Sequence, residues 1–488
     1  MALFTCRRLP MFVNRKTELA QLDGLLRRGR GELLLLYGRR RVGKTALLRE
    51  WASRTGVAWS YWMAQKEPAE LQRRRLAATL RGRPPAAGGG PIFPSWSDLW
   101  DDAAALLRRD RHILILDELP WAVEADGAML SALQYAWDIH WQHGQLILVL
   151  CGSQIRTMET ILSQQTPLFG RLTAQYYLQP LAFGALRHFF PSWSPEAQVA
   201  TYAMLGGVPQ YLTWFEPERT LVENIRGALL APMSVALAEI ELLLADEVRD
   251  LRTYLAVLNA IGEGQHTLKA IADTTFTAST NLTKYLAVLQ ELRLVERRIP
   301  ATVHPSMRHR SKQGRYHLTD PFHRFYFRFL RPHQAEIAYQ PDQVLAHIQA
   351  GLRAFVGQTA WEELARAWVQ AQGACGALPF APEVIGSHWD RRVQSDVVAL
   401  SWRERTMLIG ECKWGAEPVN RQTLRHLLEQ TIPKTLAALP DGGQGWRVIP
   451  ALFARAGTTP DALALLQEHQ GLHVDLARLY AALGDAEE

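Results

Sequence analysis

The segment Gly38-Arg39-Arg40-Arg41-Val42-Gly43-Lys44-Thr45 follows the apolar run Leu33-Leu34-Leu35-Leu36-Tyr37 and precedes Ala46-Leu47-Leu48-Arg49. A GxxxxGK(S/T) string between a buried strand and a helix start has the setting of a phosphate-binding loop. Its two glycines let backbone N–H groups turn inward around a β/γ-phosphate, Lys44 adds a point charge there, and the Thr45 hydroxyl is placed to ligate Mg²⁺. The string alone arises by chance in about 1% of chains this long, and the strand–loop–helix context lowers that further. ATP and Mg²⁺ are the expected ligands.

Composition bounds the rest. With 488 residues and 48% hydrophobic content, the chain can fill about three cores of ordinary domain size. Its four cysteines are scattered and form no CxxC pair, which argues against a disulfide scaffold or a cysteine-rich zinc site and fits a reducing compartment. Apolar runs such as Leu146-Ile147-Leu148-Val149-Leu150-Cys151 are far short of a bilayer span, and the N-terminus lacks a signal-peptide core. The expectation is a soluble, cytoplasmic protein with no membrane partner. A net charge of +6 permits a polyanionic partner without requiring one, since solvated arginine-rich helix faces explain it equally well.

Strands at residues 33–37, 57–62, 112–116 and 145–150 alternate with helical patterns, so the fold class is α/β with a parallel sheet covered on both faces. Gly82 to Pro94, rich in Pro and Gly, reads as a surface loop. Helical periodicity from about Leu186 to Asp250 suggests a lid. Three further helical patterns from Leu251 to Leu292 end in strands at 294–298 and 315–318, and strands return at 396–400 and 407–410. The expected domains are 1–185, 186–248, 249–335 and 336–488.

Asp117-Glu118 closes the apolar strand at 112–116, at the sheet edge where the loop also lies. Asp117 can hold Mg²⁺ through water, and Glu118 can orient or deprotonate an attacking water. Ser153, at the end of the next strand, has two open readings: a γ-phosphate sensor or a helix cap.

At these residues the chain resembles the archaeal-type ATPases of the AAA+/STAND group. The likeness runs through Phe12-Val13-Asn14-Arg15-Lys16-Thr17-Glu18-Leu19, the loop, Leu116-Asp117-Glu118, Cys151-Gly152-Ser153-Gln154, Pro167-Leu168-Phe169-Gly170-Arg171 and Gly206-Gly207-Val208-Pro209-Gln210-Tyr211-Leu212. It implies that Asn14 and Arg15 lie near base and ribose, that Arg171 is an arginine finger, and that Gly207-Val208-Pro209 contacts nucleotide. A finger acting in trans implies a homo-oligomer. Read without the resemblance, Arg171 is an arginine in a Pro/Gly loop.

The resemblance continues through a winged-helix segment to a C-terminal nuclease-like domain. In the former, Thr280, Asn281 and Lys284 would face a DNA groove while Arg308, Arg310 and Lys312, in a basic hairpin, grip phosphates; a protein-docking module is the other reading. In the latter, Asp396 and Glu411-Cys412-Lys413 form D…ExK, a spacing that alone occurs about once per chain of this length. Strand alternation puts Glu411 and Lys413 on one face, so Asp396 and Glu411 could bind a divalent metal while Lys413 orients water. This resembles the PD-(D/E)xK nucleases, with Glu362, or Glu363, as the helical acid. Where relatives often carry an acid just before the strand aspartate, this chain has Gln394-Ser395, which leaves a degenerate nucleic-acid-binding fold as an alternative. The whole reads as an ATP-hydrolysing, DNA-acting protein with a metal-dependent nuclease domain. The rival is an ATP-controlled signalling switch, against which the retention of Glu118 argues.

Overall fold

Alternate residues of three apolar strands face opposite sides of one sheet. Leu33 and Leu35, Leu114 and Leu116, and Leu146, Leu148 and Leu150 share one core, while Leu34 and Leu36, Ile113 and Ile115, and Ile147 and Val149 share the other. A strand buried on both faces needs no polar alternation, which is why these segments read as continuous apolar runs. The computed structural model describes residues 12–83, 91–107, 110–161 and 163–485. Residues 84–90 of the expected Gly82–Pro94 loop lie outside that set.

The chain divides into two units, one running to Leu181 and including Val208–Gln210, the other comprising Ala182–Gly207 and everything from Tyr211 on. In the first, α1 (Lys16–Arg27), β1 (Glu32–Tyr37), α2 (Lys44–Arg54), β2 (Ala58–Met63), α3 (Ala69–Leu80), α4 (Trp96–Leu107), β3 (His112–Asp117), α5 (Leu119–Ala125), α6 (Ala128–Ala136), β4 (Leu146–Gly152), α7 (Ile155–Ile161) and β5 (Ala174–Tyr177) alternate. The five strands run parallel in the order β2-β3-β4-β1-β5. Their carboxyl ends therefore bring the segments after β1, β3 and β4 to a single edge.

The second unit begins with helices such as Pro195–Leu205, capped by Ser194, whose hydroxyl accepts from Ala197 N at 3.2 Å. Helices Leu251–Gly262, Leu268–Thr275 and Ser279–Glu291 precede an antiparallel pair, β6 (Val295–Arg298) and β7 (Arg315–Leu318). The basic segment between these strands differs from the expected hairpin. Pro305–Arg310 winds into a 3-10 helix, and the residues before it dock on β8 (Val384–Trp389), with Ala301 N donating to Ser387 O at 2.9 Å and Thr302 Oγ1 lying 2.8 Å from His388 Nδ1. Backbone groups on a segment this long need partners, and the neighbouring strand supplies them.

A mixed sheet completes the unit: β9 (Gln394–Ser401) runs antiparallel to β8 and to β10 (Thr406–Lys413), while β11 (Arg447–Ala454) and β12 (Leu472–Asp475) run parallel to β10. Helices Pro341–Val356 and Glu362–Ala374 lie before it, and Trp361 Nε1 between them donates to Phe453 O at 3.0 Å. Among the described residues no helix is long and apolar enough to cross a membrane.

Leu148 has no exposed surface at the centre of the first sheet. Leu148→Ala should destabilise the N-terminal unit by ~2–5 kcal/mol through lost burial and a residual cavity. Urea unfolding measures this; a change within ±0.5 kcal/mol, the level of a surface substitution, would contradict the packing.

Candidate nucleotide and acidic sites

The chain leaves β1 through two residues that tolerate no side chain. A Cβ on Gly38 would lie 2.6 Å from the Leu178 carbonyl oxygen, and Gly43 has φ 93. Lys44, 6% exposed, folds back so that Nζ donates to Gly38 O at 2.9 Å and Arg39 O at 3.0 Å. Burial lowers its pKa, and among the described residues no carboxylate forms an ion pair with it. A buried ammonium satisfied by carbonyls alone fits a polyphosphate.

Around the loop, Arg39, Arg40 and Arg41 are half-buried and Val42 is fully buried. Pro209 Cγ stands 3.8 Å from where a Gly43 Cβ would be, so the segment quoted as a lid motif does reach the loop. Asn14 and Arg15 both adopt positive φ, 61 and 71. Arg15 pairs with Glu18 at 2.7 Å and donates to Val42 O at 3.0 Å and Gln179 O at 2.8 Å. Its guanidinium thus braces the loop against the chain beyond β5, a role the sequence did not suggest.

Asp117, 1% exposed, is the hub of the acidic side. Its Oδ2 accepts from Thr45 Oγ1 at 2.6 Å and Tyr61 OH at 2.9 Å, and its Oδ1 from Glu118 N at 2.9 Å. Thr45 and Asp117 are hard oxygen donors in contact, the donor set Mg²⁺ takes. Burial and the Asp117 charge raise the Tyr61 pKa, so the phenol remains a donor. Glu118 sits at φ 49, and its carboxylate accepts from Ser153 Oγ at 2.8 Å and Ser153 N at 3.4 Å. Ser153 therefore holds Glu118, an arrangement that neither reading of the sequence contained.

Arg171 forms a two-pronged pair within its own chain, Nε to Asp138 Oδ1 and Nη2 to Asp138 Oδ2, both at 2.8 Å. This raises the Arg171 pKa and lowers that of Asp138, in each case chiefly through the shared hydrogen bonds.

In the C-terminal unit, β9 and β10 bring Asp396 to Glu411-Cys412-Lys413. Asp396 Oδ2 accepts from Cys412 N at 2.9 Å, and Lys413 Nζ lies 2.6 Å from Glu411 Oε1. Arg366 joins from the helix, donating to Asp396 O at 2.8 Å with Glu362 at 3.5 Å. Burial, then the charge of Asp396, pushes the Glu362 pKa up; burial, then Glu411, does the same to Asp396. Glu363 is spoken for: Arg298 at 2.7 Å and Arg324 at 2.8 Å hold its pKa well below the usual carboxylate range although burial opposes them. Ser395 turns the other way, onto Thr435 Oγ1 at 2.7 Å in the core. Among the described residues no group of three or more His, Cys, Asp or Glu side chains could hold a metal, so an ion here would depend on Asp396, Glu411 and water.

On the helix Ser279–Glu291, Thr280, Asn281 and Lys284 are all exposed, as are Arg310 and Lys312, whereas Arg308 reaches Pro300 O and Ile299 O at 3.4 Å. Three contributors escaped the sequence reading. Arg366 was findable as the i+4 neighbour of Glu362; Tyr61 required the strand order that sets β2 beside β3; Asp138 carried no local signal.

Residues 12–215 match a family described as an ATPase domain predominantly from Archaea, and residues 326–426 match one described as archaeal and bacterial proteins of unknown function. An uncharacterised protein of Methanocaldococcus jannaschii is 30% identical over 406 residues, 83% of this chain and 88% of that protein. An uncharacterised ATP-binding protein of the same organism is 52% identical over 40 residues, 8% of this chain and 68% of its own length. Among solved structures, a Walker-type ATPase of Pyrococcus abyssi aligns with TM-score 0.46 and 18% identity over 67% of this chain and 99% of its own. The ORC2 protein of Aeropyrum pernix, solved in ADPNP–ADP complexes, aligns with TM-score 0.47 and 15% identity over 71% and 98%. With its loop, its acidic strand end and a relative matched along most of both lengths, the chain belongs to the archaeal-type ATPase family that joins this ATPase domain to a C-terminal region of unknown function.

Proposed function

We propose that the protein hydrolyses ATP at the Lys44–Asp117–Glu118 site and uses its C-terminal unit, an α/β restriction-endonuclease-like domain preceded by a winged helix, to bind and cut DNA with a divalent metal. The observation that carries the ATPase reading is the convergence of a buried Lys44, bonded to loop carbonyls, and the Asp117 hub on one loop. Loop N–H groups and Lys44 bind the β- and γ-phosphates, while Glu118, steadied by Ser153, accepts a proton from the attacking water. Thr45 and Asp117 would hold Mg²⁺, which neutralises developing phosphate charge when bound. At the other site Asp396 and Glu411 would hold the ion and Lys413 orients water, with Glu362 assisting. Supporting this second reading is a set of buried carboxyls whose pKa values rise against one another, a charge state that a cation would relieve.

Lys44→Ala should abolish nucleotide binding, whereas Glu118→Gln should bind ATP and turn over at least 100-fold more slowly, since positioned acid–base catalysis contributes ~10²–10⁴-fold. Calorimetry and phosphate release separate the two effects; wild-type hydrolysis by both variants would refute the site.

Arg171 is proposed to leave Asp138 and reach the γ-phosphate of a neighbouring subunit, as a finger worth orders of magnitude in rate. Mixing Arg171→Ala with Lys44→Ala subunits should restore activity at shared interfaces. No recovery in demonstrably co-assembled mixtures would rule out the trans role.

Asp396→Ala and Lys413→Ala should each abolish Mg²⁺- or Mn²⁺-dependent cutting of plasmid or single-stranded DNA and leave ATP hydrolysis unchanged. Plasmid and single-stranded DNA both left intact by the wild-type protein under all nucleotide and metal conditions would leave the non-cutting, DNA-binding alternative.

A further inference from the structure

Two hollows in the C-terminal unit meet at Arg315 and Trp389, which line both. One is an open groove of about 1030 Å³ between the β6–β7 connection, the helix Leu268–Thr275 and the turn after β8; six lysines and arginines border it against a single acid, Asp390. The other is a cavity of about 570 Å³ with four arginines and three glutamates on its walls. One of those glutamates, Glu363, is shared by Arg298 and Arg324, and another, Glu362, is the helical acid of the site around Asp396. A positive groove thus adjoins, at Arg315 and Trp389, a smaller cavity whose wall includes Glu362.

Arg315 stands at the junction. Its guanidinium lies 5.0 Å from the Trp389 ring centre, and Trp389 is fixed by Nε1 donating to Gln313 O at 3.0 Å. Among the described residues neither Arg315 nor the exposed Arg328 has an acidic partner, and burial lowers the Arg315 pKa. Two guanidiniums without acidic partners on adjoining hollows leave their positive field uncancelled and attract anions. The charges are strung along two connected hollows rather than gathered at one point, which fits phosphates at repeated spacing better than a single small anion. The cavity is also of small-ligand size, within the ~300–1,000 Å³ range of such sites, and apolar Leu318 and Phe355 on its wall suit base faces. Its volume suits a nucleotide unit rather than a duplex.

We propose that this channel takes one strand of nucleic acid, its phosphates running along Arg391, Arg392 and Lys312, past Arg315, to Arg328, so that a single-stranded end reaches the acidic site. The delivery step rests on the nuclease reading above; strand binding does not. The test measures anisotropy of the full-length protein with a labelled 15-nucleotide oligo(dT) and with a blunt duplex of equal length, in EDTA so that no cutting occurs, across a salt series. The strand should bind at least tenfold more tightly. Arg315→Gln combined with Arg328→Gln should erase that preference and shallow the log K against log salt slope by about 1.4, at ~0.7 per lost strand phosphate. ATP hydrolysis should be unchanged, and an unchanged urea-unfolding profile reports an intact C-terminal unit; Arg328→Gln alone, at an exposed position, should move the slope by about half as much. Equal affinity for strand and duplex, an unchanged slope in the double variant, or dinucleotide displacing the strand at equal concentration would each overturn the channel. Strand preference lost in the double variant by a protein that never cuts would uphold the channel while refuting the nuclease reading.

Discussion

A carboxylate almost wholly removed from water must be satisfied by the groups around it, and Asp117 draws its partners from separate parts of the N-terminal unit. Thr45 comes from the start of α2, Tyr61 from β2, and the Glu118 amide from its own strand end. These meet only because β3 lies between β2 and β4 and because β4 separates it from β1. Changing that order would leave Asp117 either unpaired or exposed. The same order places Ser153, just beyond β4, against Glu118. Sheet topology and site chemistry are thus one constraint, and the two apolar cores that cover the sheet are what hold the order in place.

An analogous constraint governs the C-terminal unit through two adjacent glutamates. Successive residues on a helix point about 100° apart, so Glu362 and Glu363 cannot serve the same surroundings. Glu363 is locked between Arg298 of β6 and Arg324, which ties the helix Glu362–Ala374 to the strand pair before it. Removing Glu363 would leave two partly buried arginines without their shared acid, and removing either arginine would leave Glu363 the other. With Glu363 fixed, Glu362 is turned to Asp396, and Arg366 one helical turn later bonds to the Asp396 carbonyl. The acid that the sequence could not choose between two neighbours is selected by arginines remote in the chain.

That contrast marks how far the sequence could be read. The loop, Asp117-Glu118 and D…ExK are legible because each depends on a strand end followed by residues of fixed chemical type, and local pattern carries both. The helices Leu251–Gly262, Leu268–Thr275 and Ser279–Glu291 are legible for the same reason, two of them marked by the capping residues Asp250 and Thr267. Long-range pairings are not local. Arg15 bonding to Gln179 O, Arg171 to Asp138, and Ala301 to Ser387 O join segments whose spacing obeys no period. The strands flanking the expected basic hairpin do pair antiparallel, but its tip winds into a 3-10 helix with local backbone bonds, a turn that charge composition did not indicate.

The two sites are incomplete in opposite senses, and the difference follows from what each must bind. At the loop a buried cation is bonded to carbonyls and, among the described residues, forms no ion pair, an arrangement that suits a multiply hydrogen-bonding anion. Around Asp396 the partly buried acids Glu362 and Asp396 have pKa values raised by burial and by neighbouring carboxylates, and the site carries an excess of negative charge. An unsatisfied buried charge costs several kcal/mol, which a bound ligand of opposite charge or a change of protonation relieves. Arg171 and Glu363 show the opposite treatment: each is already neutralised in its own chain, at 2.8 and 2.7 Å. For Glu363, bonded from two sides, that closure is architectural. Arg171 is half-exposed and held by Asp138 with two prongs, so any reach toward a nucleotide must first exchange one anion for another, carboxylate for phosphate, both of which fit a guanidinium fork.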